Sequence, residues 1–382
     1  MKFVPTDPLY PLFSIFAFFS FFLPLIPLTW HLQAWNLGAC FYMMWASLLG
    51  LIQFVDSIIW AGTVLDLAPI WCDITTHVYQ AACFAIPLSS LCIVRRLYLI
   101  SSLKTALTRL EQRRAMIFDI FVCFIMPLAL LALQYVSQGR RYEIWEEVGC
   151  RIHMDRTLAM PFIINVPIIA TGLVSMVYDV LCIRALFQHL RKRKELSKSV
   201  PSSAFTYDRY IPIVTLAFLE MACTTPIATC ALIFNIELGL EPWISWDYVH
   251  GYFDYIEMIP SPVWKSQDLV RNAIETERWV TASFGIIIFL FLGTTKEARR
   301  QYWRAYRRLR RLVGQKTTTD TPESEKSHED DDDVPNYSSV SEPSFVLPTI
   351  IDIEQLSRVQ ENSYAHKPTI NLEDSSILNI AR

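Results

Sequence analysis

Seven stretches of this chain are so long and so apolar that a lipid bilayer is the one solvent able to take them all. A helix crossing the hydrocarbon layer needs about 20 mostly apolar residues. Residues 9–31, 39–60, 71–94, 115–137, 159–187, 210–234 and 279–295 come up to that length or, in the last case, just under it. The whole chain is 52% hydrophobic with a mean hydropathy of +0.28, too apolar for a soluble domain of 382 residues. Prolines at 24, 27, 87, 127, 167, 212 and 226 fall inside these stretches. They would break soluble helices, but in a bundle neighbouring spans satisfy the freed backbone groups, so they read as kinks. The expected fold is an all-α membrane protein: a seven-transmembrane helix bundle over residues 1–295, an amphipathic cytosolic helix over 296–313 and a disordered acidic tail, rich in Ser and Thr, over 314–382.

The direction of threading follows from Lys and Arg, which collect on the cytosolic side. With the N-terminus outside, the inner loops and the basic end hold 22 of them: six at 95–114, seven at 184–209 and nine at 296–316. The outer segments hold eight, namely Lys2, four at 138–158 and three at 265–278. A cleaved signal peptide at the first stretch would leave six spans running the other way and turn the basic loops outward. Proline in its apolar core and the lack of a small-x-small cleavage site also favour an uncleaved anchor.

Residues 317–382 carry fourteen acidic against four basic residues, including the run Glu329–Asp333. Such a segment buries too little to fold. The sequon Asn336-Tyr337-Ser338 lies there, and an inward tail predicts that it stays unglycosylated. No prenylation box closes the chain at Asn379-Ile380-Ala381-Arg382. Of nine cysteines, seven fall within apolar segments, where Cys behaves as a small hydrophobe, while Cys72 and Cys150 stand at segment edges. No CxxC pair suggests a metal site.

Seven outward-starting helices with basic inner loops have the layout of a G-protein-coupled receptor, and particular residues narrow the likeness. Trp30-His31-Leu32-Gln33-Ala34-Trp35-Asn36 follows the first span, Trp71-Cys72-Asp73-Ile74 opens the third, and Leu91-Cys92-Ile93-Val94-Arg95-Arg96-Leu97-Tyr98 closes it. Ala132-Leu133-Gln134-Tyr135, Gly149-Cys150, and Ile259-Pro260 with Trp264 come later. Over residues 8–313 this resembles the basidiomycete receptors for a-factor-type lipopeptide mating pheromones, class D of the G-protein-coupled receptors. Animal rhodopsin-like receptors end the third span with Asp-Arg-Tyr and the seventh with Asn-Pro-x-x-Tyr; neither span ends so here, and Val94 and Lys265 stand where the family tends to have Asn and Arg.

The resemblance implies a receptor, not an enzyme, at the plasma membrane. Its partners would be a farnesylated peptide pheromone, the Gα subunit of a heterotrimeric G protein, membrane lipids and, where it dimerises, a second receptor; no cofactor, metal or nucleic acid is implied. Cys72 and Cys150 would both face the oxidising exterior, where a disulfide would pin the 138–158 loop over the bundle; two separate thiols are the alternative. Polar groups within spans turn to the bundle interior. Asp56, His77, Gln80, Gln134 and Asn165 belong to its outer half, as ligand contacts or as plain interhelical hydrogen bonds. Glu220 and Asp179 sit deeper in the sixth and fifth spans. The 237–277 loop carries Trp243, Trp246, Tyr248, Tyr252, Phe253, Tyr255 and Trp264, and its eight acidic residues favour a cationic peptide. It reads as a cradle or gate for ligand, or as an interfacial aromatic belt. Arg95, Arg96, Arg113 and Arg114, with Arg191-Lys192-Arg193-Lys194, offer a basic surface to the G protein and to anionic lipid alike. Tyr302, Ala305, Tyr306, Leu309 and Val313 recur at helical spacing along the membrane-surface helix. Pro212 and Pro226 would let the sixth span bend on activation, and Thr317, Thr318, Thr319, Ser338 and Ser339 are candidate phosphorylation sites.

Other seven-helix classes fit less well. A retinal protein needs a lysine within the last span, and residues 279–295 contain none. A transporter should show internal repeats, and none is visible. The histidines at 31, 77, 153, 189, 250, 328 and 366 are too scattered for a zinc hydrolase.

Overall fold

The computed structural model describes residues 7, 9–102, 109–196, 207–237 and 239–314. The chain begins with α1 (Leu12–Phe22) and α2 (Leu25–Gln33), one span divided at Pro24. Then come α3 (Leu37–Ile59), α4 (Pro69–Ser102) and the fourth span, α5 (Arg109–Ile120) continuing through a π turn at Phe121–Ile125 into α6 (Met126–Gln134). The fifth span is α7 (Ala159–Ile163) with α8 (Asn165–Leu196), and the sixth is α9 (Tyr207–Glu237). Short helices α10 (Trp246–His250) and α11 (Ser261–Trp264) precede α12 (Asp268–Ile288) and α13 (Lys296–Gly314).

Six of the described helical segments are long and apolar enough to cross a membrane. The seventh, α9, is a continuous helix of 31 residues whose apolar part is Ala222–Glu237. The seven expected stretches thus coincide with helices. The last one is longer than hydropathy predicts: α12 starts at Asp268, because Asp268, Arg271, Glu275, Glu277 and Arg278 lower the hydropathy of its first three turns without breaking the helix. The tail, with its sequon and its phosphorylation candidates, lies outside the described residues.

The prolines act locally. Pro127 has no N–H for the carbonyl four residues before it, and the chain widens there into the π turn. That freed carbonyl, Cys123 O, accepts from the Trp45 indole of α3 at 3.1 Å, so the proline of one span is compensated by the tryptophan of another. Pro87 lies inside α4 without ending it.

The core sits where α3, α4 and α12 meet. Tyr42, Met43 and Leu49 of α3 pack on Ala81, Ala82 and Ala85 of α4 and on Phe284 and Ile288 of α12. In lipid, apolarity alone does not draw helices together, so small side chains that permit close contact matter most. Gly50 lies against the backbone of Phe21 and Gly285 against Ser20 O, with a Cβ at either meeting backbone at 2.5 and 2.1 Å respectively. The fourth and fifth spans instead expose Phe121, Leu128, Phe162 and Val177, as lipid-facing helices should.

One feature departs from the all-helical expectation. Residues 138–158, read as a loop, form a hairpin of β1 (Arg140–Trp145) and β2 (Gly149–His153), and β3 (Glu257–Ile259) adds in parallel to β1, giving the order β2-β1-β3. Two short alternating strands carry little hydropathy signal, and the third pairs across more than a hundred residues.

Candidate ligand-binding site

The hairpin is fastened over one end of the bundle by bonds to several elements. A disulfide joins Cys72 in the first turn of α4 to Cys150 of β2, with Cα atoms 5.4 Å apart. Asp56, buried near the end of α3, accepts from the Trp71 indole at 2.8 Å and lies directly against Gly149, whose φ is +98°. Arg141 grips Asp73 through both carboxylate oxygens, one at 2.6 Å, and this contact holds its guanidinium above the usual range. The Tyr142 hydroxyl donates to Asp66 at 3.0 Å; burial foremost, and then that carboxylate, push its ionisation up. From the α9–α12 connection, Lys265 pairs with Glu147, and Glu146 accepts from the Ser261 amide at 2.6 Å and, through its backbone carbonyl, from the Trp264 indole at 3.3 Å.

Beneath this roof lies a cavity of about 230 Å³. Thr76, Tyr79 and Gln80 of α4 form one wall, Ile274 and Glu277 of α12 another, and Glu143, Trp145, Arg151 and Met154 line it from the hairpin side. Arg151 is its electrostatic centre. Its guanidinium meets Glu277 Oε1 at 2.9 Å and lies 4.1 Å from the Tyr79 ring centroid, while the Tyr79 hydroxyl donates to the same Oε1 at 2.9 Å. Burial works against the Arg151 charge, but Glu277 and Tyr79 more than offset it and hold the group above its usual range. Thr281, one turn below, links this cluster to Gln53 of α3 at 2.6 Å.

A second polar network edges the sheet. His153 faces Glu143 through Nδ1 at 2.9 Å and Asp155 through Nε2 at 3.2 Å. Arg140 pairs with Glu257, which stands directly across from Glu143 in the β1–β3 register. The donor atoms of Glu143, His153 and Glu257 lie within 4.8 Å of one another, close enough to hold a cation. Each already has a partner, and Arg140 supplies positive charge, so the group works as a hydrogen-bonded pin across three strands.

Of the residues singled out from sequence, Cys72 and Cys150 are joined as expected and Gln80 lines the cavity. Gln134 lies just behind the wall, its amide 3.3 Å from the sulfur of Met154. Asp56 fastens the hairpin. His77 bonds back to Asp73 O at 2.7 Å within its own helix, and Asn165 donates to Ala228 O at 3.1 Å, tying α8 to α9. Trp264 is buried under the hairpin, 6.5 Å from Trp145. Trp243 donates to Val136 O at 3.3 Å, Trp246 stacks on His250 at 4.0 Å, and Tyr252 is 79% exposed. The aromatic loop is therefore laid over the end of the fourth span. Sequence reasoning passed over Tyr79, Arg151 and Glu277. Arg151 follows a candidate disulfide cysteine directly, and that adjacency was the available signal.

At the opposite end, Arg95 approaches Asp119 at 3.8 Å and the Phe118 ring centroid at 3.9 Å, and Arg96 donates to Trp35 O at 2.6 Å. Arg113 and Arg114 are exposed. Residues 191–194 continue α8, and their side chains lie outside the described set. Tyr302 anchors α13 by donating to Gly293 O at 2.9 Å and packing edge-on to Trp30, while Trp303 and Tyr306 point outward.

Comparison with known proteins adds an independent line. The profile of a family described as Pheromone A receptor (STE3) matches residues 12–311. The Pheromone B alpha 1 receptor of Schizophyllum commune is 40% identical over 81% of this chain and 48% of its own length. Pheromone receptor 1 of Mycosarcoma maydis is 30% identical over 74% of the chain and 80% of its own length. The Pheromone a factor receptor of Saccharomyces cerevisiae is 21% identical over 72% and 57%. The chain spans about half the length of the Schizophyllum relatives it matches.

Proposed function

The chain belongs to the STE3 pheromone receptor family, and from that premise we propose that it detects a farnesylated peptide mating pheromone at the plasma membrane and signals through a heterotrimeric G protein. The family is one of multi-pass membrane receptors, not enzymes. In this reading the sheet end faces outward and the basic end, with α13 and the tail, faces the cytosol, as the distribution of Lys and Arg favours.

The observation that carries the proposal is the roofed cavity between α4, α12 and the hairpin, charged at Glu143, Arg151 and Glu277 and set at the end of the bundle away from Arg95, Arg96, Arg113 and Arg114. The cavity sets Thr76, Gln80, Glu143, Arg151 and Glu277 beside the apolar Val148, Ile152, Met154 and Ile274, a mixed lining that suits a peptide. A prenyl chain gains about 0.8 kcal/mol per buried CH₂ and gains much the same from the bilayer, so the lipid concentrates the ligand while the peptide selects the receptor. Arg95 and Arg96 close the third span at the inner end, where an acidic Gα surface would meet them together with Arg113, Arg114 and Arg191–Lys194. Binding would favour the conformation in which the fifth and sixth spans part on the inner side.

The test is expression in yeast lacking its own pheromone receptors, with a growth reporter on the G-protein pathway. Farnesylated peptides are expected to trigger growth and unprenylated ones to need far higher concentrations. Silence to every prenylated peptide, with the receptor shown at the cell surface, would overturn the function. A C-terminal epitope reached by antibody on intact cells would overturn the orientation.

A further inference from the structure

Resting on the receptor reading above, we propose that Glu277 is the acceptor for a cationic side chain of the peptide ligand, which takes over the place that Arg151 occupies on it.

The geometry of the pair points to exchange. Arg151 and Tyr79 both direct their bonds to Glu277 Oε1, and none of the described residues bonds Oε2. The Glu277 side chain is 47% exposed against 16% for Arg151, so the carboxylate is the open half of the pair. It borders the cavity. The other acid in the lining, Glu143, is engaged by His153 and by the Trp145 indole at 2.7 Å. With Glu143 so engaged, Glu277 is the acid of the lining that stands open to a ligand cation.

Exchange is also inexpensive where simple rupture is not. Arg151 is the more buried of the two charges, and rupture with nothing in its place would leave both groups without an ionic partner. Replacing one cation by another leaves Glu277 paired throughout, and Arg151 keeps the face of the Tyr79 ring as its support. The exchange has a mechanical consequence. Arg151 follows Cys150, which the disulfide ties to α4, so its bond to Glu277 holds α12 to the roof and the third span. A ligand cation on Glu277 releases that tether while filling the cavity. Selectivity among peptides then depends on where in the sequence the cation stands.

The experiment uses the full chain in the reporter yeast and a panel of synthetic peptides ending in farnesylated, methyl-esterified cysteine, with each position set in turn to Lys, Gln and Glu. At one position the wild-type receptor should prefer Lys over Gln and Glu by about tenfold in half-maximal concentration, the loss of one charged hydrogen bond. Glu277→Gln, which keeps an acceptor for Tyr79, should erase that preference. The doubly exchanged Arg151→Glu/Glu277→Lys receptor, checked for surface expression, should prefer Glu at the same position. Equal wild-type responses to Lys, Gln and Glu at every position, or an undiminished Lys preference in Glu277→Gln, would overturn the exchange and leave the receptor reading standing. Silence across the whole panel with receptor at the surface removes the receptor reading and the exchange together.

Discussion

Gly149 of the hairpin rests directly on Asp56 of α3, so closely that a Cβ on the glycine would lie 2.4 Å from the aspartate Cβ. The contact combines a positive φ of +98° with a backbone approach that no side chain allows. Gly149→Ala is therefore expected to cost about 2–4 kcal/mol, the sum of backbone strain and overpacking. It should lower the thermal midpoint of the purified receptor and its surface level. A Gly149→Ala receptor as stable as wild type would mean that the hairpin does not rest on α3.

The neighbouring cysteine gives a second expectation. The Cys72–Cys150 bridge closes a separation of 78 residues, so its loss should destabilise by about 2–5 kcal/mol. Because the two sulfurs make one bond, Cys72→Ser, Cys150→Ser and the double variant should be equally impaired. Maleimide labelling of intact cells should reach these positions only after reduction. Labelling without reductant, or additive defects in the double variant, would show that the bond is absent.

Below the cavity, Gln53 donates to Thr281 Oγ1 at 2.6 Å and to Arg278 O at 3.2 Å, binding the second span to the seventh. Interhelical hydrogen bonds in lipid are worth about 1 kcal/mol. Gln53→Leu and Thr281→Val should each lose roughly that amount in a denaturation series, and the double variant less than the sum, since the two share a bond. Full additivity would separate them.

The bundle was legible in the sequence because a span is a local property: twenty apolar residues announce it whatever surrounds them. The Lys and Arg bias and the paired edge cysteines were legible for the same reason. The roof was not. Tyr142 and Ile144 alternate inward over a strand too short to register, and β3 reaches β1 from the far side of two spans. The cavity fared no better, since Arg151, Tyr79 and Glu277 come from three elements and meet only after the disulfide sets the hairpin. Asp56, His77 and Asn165 are polar residues in apolar stretches, a pattern that marks an inward face. It does not say whether that face meets a ligand or, as Asn165 meets Ala228 O, a neighbouring helix. The charged first turns of α12 hid Glu277 and Arg278 from hydropathy, although Arg278 lies buried against Asp7 at 3.2 Å and the Phe13 ring at 3.8 Å.

The end of the bundle opposite the roof supplies the last prediction. Asp119 is buried at the start of the fourth span, and the Arg95 guanidinium lies 3.8 Å from it, over the Phe118 ring. At that distance the attraction is modest, but it acts on a half-buried arginine that closes the third span. Beside it, Arg96 is committed to the Trp35 carbonyl at 2.6 Å. Both arginines are thus turned towards the bundle, and in the proposed coupling they must be released before a Gα subunit can meet them. Asp119→Asn removes the charge while keeping the shape, so Arg95 retains only the Phe118 ring. With a loss of about 1 kcal/mol, a conformational equilibrium moves about fivefold towards the state that frees the arginine. The expected outcome is raised reporter signal without pheromone. Asp119→Asn with Arg95→Ala should fall back to silence, because the released group itself is gone. An unchanged basal signal in Asp119→Asn, at equal surface expression, would show that this contact does not restrain Arg95.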